Sequence, residues 1–452
     1  MAFNLAALYW IAWITPAGMV ASAAILSLYT GAFLLLLNLI VRRFGDQGLA
    51  AAPFLWTAIE YLRSFDDLAF PWTLIGNTQT YYLPLIQYAE ITGVYGVSFW
   101  IVSVNLLIFL LVKNTKGRRR SVLLSGGIAL SFLLPFLYGT AKIPKGRPGG
   151  AIKAAIVQPN VPIPVKWGRS GAGVDISLNI LRKTSVQASQ EALDLIVWPE
   201  TAVPTNLRGR PKYRDAVHAL VDSLEIPILT GAPDYIYETK ETYNAAFLFR
   251  PGRRDLIRYD KIHLVPVSER MPYVDLIPLW VWEKINWETF SLNFGPANFS
   301  RGKTLTIFEL PKSTFAVLIC FESVFPDLVR QFVQREAKFL VNITNDAWFG
   351  RTSSPFQHAR IAVFRAIENR IPIVRCANTG VSMFIDPFGR TSQVTKIFEP
   401  ALIIETIPLH GEGTFFTRYG NLFSKICVVI AGLALLLAAV SKYTLRKADP
   451  RD

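Results

Sequence analysis

Thr314-Phe-Ala-Val-Leu-Ile-Cys320-Phe321-Glu322-Ser323 decides how this chain folds. The run up to Ile319 carries no charge and is rich in β-branched and aromatic side chains, so it reads as a buried strand. Ser323 to Asp327, with Pro326 inside it, marks a sharp turn into a helix. Cys320 is then expected beside a helix N-terminus, where backbone N–H groups and the macrodipole favour thiolate over thiol. Such a position suits a nucleophile. It equally suits a structural cysteine, since free cysteine is among the most buried residue types.

Around that strand, from about 151 to 410, apolar runs of strand length recur at 152–157, 193–198, 226–229, 315–319, 339–343, 371–374, 381–385 and 402–407. Helical patterns fall between several of them, as at 214–224 and 357–369, which predicts an α/β domain with a substantial core. Two further strand ends carry chemistry. Leu193-Asp-Leu-Ile-Val-Trp-Pro-Glu200 stops at Pro199 and delivers a carboxylate just past it, where α/β sheets present functional groups. Arg258-Tyr-Asp-Lys261-Ile-His-Leu-Val-Pro266 sets a lysine beside an apolar run, where partial desolvation leaves its charge strongly felt. Each of these two signals is weak alone, because acids and lysines after strands are common.

Composition sets this domain in a membrane protein. Of 452 residues, 51% are hydrophobic, and the mean hydropathy of +0.32 is too apolar for an ordinary soluble chain. Met1 to Val41 carries no charge; the part up to Ile14 is short for a span, whereas Pro16 to Val41 is long enough. Leu49 to Leu62 is a shorter apolar segment holding Glu60 one helical turn from Arg63, which predicts a structural ion pair. Gly93 to Val112, Ser121 to Tyr138 and Ile426 to Val440 complete the apolar helices. The 47 Lys+Arg against 33 Asp+Glu give a formal charge of +14, gathered at the ends of apolar runs rather than in one stripe. That pattern argues for anionic lipid and against nucleic acid. With Arg42, Arg43, the 113–120 loop and the C-terminal tail all cytoplasmic, the helices from Pro16 onward alternate in direction and the section between Tyr138 and Ile426 lies outside. A cleavable signal peptide is not expected, because no basic n-region precedes the first apolar stretch. Three cysteines, Cys320, Cys376 and Cys427, imply no disulfide framework. His218, His263, His358 and His410 show no ligand spacing, so neither a metal site nor a cofactor is expected.

Glu200, Lys261 and Cys320, in Trp-Pro-Glu, Tyr-Asp-Lys and Cys-Phe-Glu contexts, resemble the carbon-nitrogen hydrolase (nitrilase) superfamily, whose members use a Glu-Lys-Cys triad on an αββα sandwich. A closer resemblance rests on Lys261-Ile-His-Leu-Val-Pro-Val-Ser-Glu269-Arg-Met-Pro272, Asn342-Ile-Thr-Asn345-Asp346-Ala347-Trp348-Phe349-Gly350, Phe70-Pro71-Trp72 and Gly93-Val-Tyr-Gly96. These motifs look like the apolipoprotein N-acyltransferase family and span nearly the whole chain. The resemblance implies an α/β fold, a nitrilase-like αββα sandwich domain inserted between transmembrane α-helices. It implies a helix bundle over 1–142, a periplasmic catalytic domain over 150–410, and a C-terminal helix with a basic cytoplasmic tail over 411–452, in a bacterial inner membrane.

The same resemblance gives roles. Cys320 attacks, Glu200 takes protons, Lys261 with backbone N–H groups faces the oxyanion, and Glu269 orients the lysine, as Glu322 could also do. Trp167, Asn244, Pro272, Phe321, Glu322 and Trp348 are expected around the substrates, although packing alone would also explain Trp167 or Trp348. The segment from Met271 to Trp287, dense in aromatic residues, suits an arm that dips into the bilayer interface. The implied reaction is ping-pong acyl transfer from a phosphatidylethanolamine-like phospholipid to a diacylated apolipoprotein, by a monomer at the bilayer, without nucleic acid. Two features depart from the family pattern. The N-terminus is expected to lack roughly the first two helices and part of the third, and Phe321 stands where tyrosine is frequent. A membrane-tethered amidase that passes its acyl-enzyme to water remains an alternative, as does a scaffold that has lost activity.

Overall fold

The strand expected before Cys320 is present as Ser313–Ile319, with its C-terminal half fully buried. It belongs to a computed structural model that describes residues 1–113, 117–146, 150–168, 172–276, 299–409, 411 and 413–446. The described chain clusters into two compact units, Met1–Tyr9 with Ala17–Lys145 and Thr414–Asp452, and Trp10–Pro16 with Gly146–Gly413.

The second unit holds two six-stranded sheets. In chain order the first sheet uses β1 (Ile152–Gln158), β2 (Leu195–Val197), β3 (Ile228–Ile236), β4 (Glu241–Phe249) and β5 (Ile257–Asp260). The second uses β6 (Phe308–Leu310), β7 (Ser313–Ile319), β8 (Phe339–Thr344), β9 (Ile373–Ala377), β10 (Met383–Ile385) and β11 (Thr391–Ser392). The last strand, β12 (Ala401–Ile407), returns to the first sheet and pairs antiparallel with β1. Strand order is β12-β1-β2-β3-β4-β5 in one sheet and β11-β10-β9-β8-β7-β6 in the other. The central pairs are parallel, β1 with β2, β2 with β3, β7 with β8 and β8 with β9. Parallel strands covered on both faces are near-continuous apolar runs, which is why these strands were visible in the sequence; the antiparallel β10 and β12 were visible too, at 381–385 and 402–407.

The sheets face each other directly. The Cys376 thiol on β9 donates to the carbonyls of Val157 on β1 and Val197 on β2, each at 3.4 Å. On the outer face of the first sheet, the helices Ala172–Ala188 and Pro211–Leu224 bury Val174, Leu181, Val217 and Val221 against Val157, Ile196, Trp198 and Phe247. The helices Pro326–Gln334 and Ser354–Asn369 belong with the second sheet, the latter buried along most of its length. This is the expected αββα sandwich. The antiparallel strand β4 was not anticipated, because its polar opening, Glu241-Thr-Tyr-Asn, breaks the apolar signal that a strand is recognised by, whereas β5 ends at Asp260, just before Lys261, where a strand end was expected.

The first unit carries the apolar helices. Among the described residues, four stretches are long and apolar enough to cross a membrane: Pro16–Leu62, Ala89–Lys113, Arg118–Lys142 and Leu422–Val440. Glu60 and Arg63 lie 3.9 Å apart as the expected pair. Both also grip the following loop, Glu60 accepting from the Ile75 N–H at 2.7 Å and Arg63 donating to the Thr73 carbonyl at 3.0 Å. The pair therefore fixes the Phe70-Pro71-Trp72 segment, and burial of two charges is offset by their hydrogen bonds.

Candidate active site

Glu200 lies just past β2. Trp198 is fully buried and its indole N–H donates to Ser185 at 3.0 Å, which fixes the strand end. The backbone then turns through Thr201 in a left-handed conformation, φ 46°. That turn presses on β3 so closely that a Cβ at Gly231 would sit 2.7 Å from the Glu200 Cα, so glycine is required there. Lys261 follows β5, with its N–H on the Asn244 carbonyl at 2.9 Å and its own carbonyl accepting from Gly302 at 2.8 Å. Cys320 follows β7. Its φ of 53° is left-handed, a conformation that costs a non-glycine residue on the order of 1 kcal/mol or more.

These three strand ends converge. Lys261 Nζ lies 2.8 Å from Glu269 Oε1 and 3.6 Å from Glu200 Oε1. Glu200 Oε2 accepts from the Asn345 N–H at 2.8 Å, and Glu269 Oε2 from the Val265 N–H at 2.8 Å. Asn244, expected at the substrate, spends its amide hydrogens on both acids, 2.7 Å from Glu200 Oε1 and 3.1 Å from Glu269 Oε1. Its place is between the carboxylates. Burial works against the Lys261 charge, but Glu269, Glu200 and Cys320 outweigh it and hold its pKa above the ordinary range. The lysine is therefore a fixed cation in a low-dielectric site.

The expectation of a ready thiolate is corrected. Cys320 opens a short 3₁₀ turn, Cys320–Val324, and the α-helix begins only at Pro326. Burial and the Glu200 charge push the Cys320 pKa well up, with Lys261 pulling against them. Burial beside Glu200 thus favours the thiol over the thiolate.

Glu322 also differs from expectation. It is fully buried, and its oxygens accept from Ile319 N–H at 2.7 Å, Tyr259 O–H at 2.7 Å and Ile262 N–H at 2.6 Å. Burial pushes its pKa up to about 7 against those donors. Glu322 clamps the Cys320 turn to the segment after Lys261, with both oxygens engaged by these donors. Phe321 is buried edge-on against Phe325, which stacks on His263. Trp167, about half exposed, caps Ile163–Lys166. Trp348 is partly buried in the turn Asp346–Phe349, and Pro272 is partly exposed in the turn after Glu269. Of the expected aromatic arm, 271–287, the part from 277 lies outside the described residues.

Sequence reasoning gave no role to several neighbours. Lys166 is buried and donates to the Glu200 carbonyl at 3.2 Å; desolvation lowers its pKa to about 7. Asn345 acts through its backbone N–H. Asn345 lies inside a quoted motif, and Lys166 is the residue before Trp167. Cys320, Asp346 and His358 each bring a ligand-type atom within 4.8 Å of the others, but both His358 ring nitrogens face protein oxygens.

A family model described as Carbon-nitrogen hydrolase matches residues 153–414, so the two-sheet unit is a carbon-nitrogen hydrolase domain. A second, described as Apolipoprotein N-acyltransferase N-terminal domain, matches residues 1–107. The apolipoprotein N-acyltransferase of Geobacter metallireducens is 35% identical over 455 residues, covering 95% of this chain and 84% of that one. That of Chlorobaculum tepidum is 33% identical over 468 residues, covering 97% and 86%. The chain belongs to the apolipoprotein N-acyltransferase family. Among solved structures, a Saccharomyces cerevisiae member of branch 10 of the nitrilase superfamily aligns at 18% identity with a TM-score of 0.43, covering 57% of this chain and 92% of that one.

Proposed function

We propose that this protein carries an acyl chain from a phospholipid to the N-terminal amine of a diacylglyceryl-cysteine lipoprotein, through a thioester on Cys320. The observation that carries the reading is the buried convergence of Glu200, Lys261, Glu269 and Cys320 in a chain of this family. Glu200 takes the thiol proton as Cys320 Sγ attacks the ester carbonyl of the donor. The S–C bond forms, and the oxyanion faces Lys261. The ester C–O bond then breaks, the leaving alkoxide takes the proton from Glu200, and a lysophospholipid departs. In the second half the lipoprotein amine attacks the thioester, its proton passes to Glu200, the C–S bond breaks, and the thiolate is reprotonated. A positioned base contributes about 10²–10⁴-fold, and a preorganised cation at the oxyanion about 10²–10³-fold.

Both substrates have membrane-embedded tails, which gives a reason for a hydrolase-like domain to be carried on apolar helices. On this reading 1–142 forms the transmembrane bundle, 150–410 the catalytic domain and 411–452 a returning helix with a cytoplasmic tail. The basic clusters at Arg42 and Arg43, at 118–120 and beyond 440 favour cytoplasmic ends for the helices that carry them, and hence a periplasmic domain in the inner membrane.

The test supplies phosphatidylethanolamine and a diacylated lipopeptide to protein purified in detergent. N-acylated peptide formed by the native enzyme and not by Cys320→Ala is the expected result. Free fatty acid without N-acylated peptide would replace the transferase by a hydrolase.

A further inference from the structure

Behind the nucleophile lies a buried polar network that the acyl-transfer steps do not use. His358 is fully buried, with Nδ1 2.9 Å from Asp346 Oδ1 and Nε2 3.0 Å from the Cys320 carbonyl oxygen. Ser323 Oγ donates to the same carbonyl at 3.1 Å and lies 3.2 Å from Nε2. Asp346 is held in turn. Its Oδ1 accepts from Thr344 Oγ1 at 3.0 Å and its Oδ2 from the Arg375 guanidinium at 3.2 Å. Arg375 also donates to Asn342 and, at 3.2 Å, to the Val381 carbonyl. A Cβ at Gly380 would come within 2.1 Å of Asp346 Oδ2, so the backbone closes tightly over this carboxylate.

We infer that His358 is a positioning residue for the reaction, with its Nε2–H gripping the Cys320 carbonyl so that the left-handed nucleophile turn keeps Sγ aimed at the acyl donor. The inference rests on the assignment of Cys320 as nucleophile. Three facts lead to it. The Cys320 backbone is strained, and strain of that kind persists only where its surroundings over-determine it. The short 3₁₀ turn offers the Cys320 carbonyl Ser323 Oγ from within itself, and His358 is the donor from outside it. The imidazole cannot swing away, because Asp346 fixes its other nitrogen and is itself tied to β8 through Thr344 and to β9 through Arg375.

The same network balances charge. Asp346 opposes ionisation of Cys320, and an Asp346 paired with the Arg375 guanidinium opposes it less. Burial and Arg375 press His358 toward its neutral form, while Asp346 and the Cys320 carbonyl favour the charged one. Two bonds to two acceptors need a proton on both ring nitrogens. The grip on the Cys320 carbonyl uses the proton on Nε2, and the hold of Asp346 on the ring uses the proton on Nδ1.

The experiment compares His358→Gln, whose amide nitrogen can reach the Nε2 position, with His358→Asn, whose amide can reach only the Nδ1 position, in full-length protein in detergent. Acylation of Cys320 is followed as single-turnover release of lysophospholipid from a fluorescent phosphatidylethanolamine, and accessibility of Sγ by its alkylation rate with iodoacetamide. A nucleophile displaced by about 1 Å loses on the order of 10²-fold in rate. His358→Asn is therefore expected to acylate about 10²-fold slower at unchanged donor KM, and His358→Gln to recover at least about 10-fold of that loss. Equal impairment of the two variants would make His358 merely structural and overturn the inference, as would acylation by His358→Asn within threefold of native. If His358→Asn does not fold, Asp346→Asn reports on the same restraint, expected to slow acylation at unchanged KM; a native rate there would overturn the inference. Cys320→Ala runs in parallel, because turnover in that variant would refute the nucleophile assignment itself.

Discussion

Replacing Glu269 by glutamine removes the nearest counter-charge of Lys261 and puts an amide group where one of its oxygens accepts from Val265 N–H or Asn244. The Glu269 carboxylate sits 2.8 Å from Lys261 Nζ, against 3.6 Å for Glu200. At an effective dielectric of about 20, unit charges 4 Å apart attract by about 4 kcal/mol, and more at closer range. Removing one partner of a buried pair costs about 3–5 kcal/mol. Glu269 is not fully enclosed, its side chain being 15% exposed, so the lower end applies, about 3 kcal/mol. The remaining attraction draws Lys261 onto Glu200, which ties up the base and withdraws the cation from the oxyanion together. Acylation should then fall by about 10²–10³-fold, the cost of losing one oxyanion donor, with donor KM little changed. The assay is single-turnover lysophospholipid release, run well below the melting temperature of the variant. Glu269→Asp, which keeps the charge at a longer reach, should fall between the two. Acylation by Glu269→Gln within threefold of native would refute the role given to this carboxylate.

Glu200→Gln removes the proposed proton acceptor while leaving an oxygen for the Asn345 N–H, and acylation should drop by about 10²–10⁴-fold in the same assay. Cys376→Ala should keep transferase activity and lose on the order of 1 kcal/mol in stability, because its thiol only bridges the two sheets. Lys166 gives a pH effect. Its pKa is lowered from 10.5 to about 7 by burial, so between those values the unfolded chain binds a proton that the folded chain does not, and stability rises with pH across that window. Below about pH 7 both states are protonated and the full cost of the buried charge is paid. Thermal melts of Lys166→Met should lack this rise and lie above native at pH 7, and a native-like slope in the variant would contradict the assignment.

The sequence disclosed whatever depended on side-chain type and contiguous apolar runs. The parallel strands β1, β2, β7, β8 and β9 were legible because both faces are covered, and their ends at Glu200 and Cys320 followed. The strand end before Lys261 followed as well, whereas β4, which opens with Glu241-Thr-Tyr-Asn, was not legible. Interactions made through the main chain were invisible. The Asn345 N–H on Glu200 would be the same with many side chains at that position. Glu322 looked like an accessible acid beside a nucleophile, and only the fold reveals four N–H and O–H donors converging on it. The protonation of Cys320 could not be read from its place in a strand-turn-helix pattern, since burial beside Glu200 outweighs whatever the turn contributes.

The most direct measurement is mass spectrometry of the full-length protein extracted from its native membrane. One acyl chain, labile to hydroxylamine, is expected on the peptide that contains Cys320, and it should disappear when a diacylated lipopeptide is added. An adduct confined to Cys376 or Cys427, or active transfer with Cys320 never acylated, would contradict the proposed thioester route.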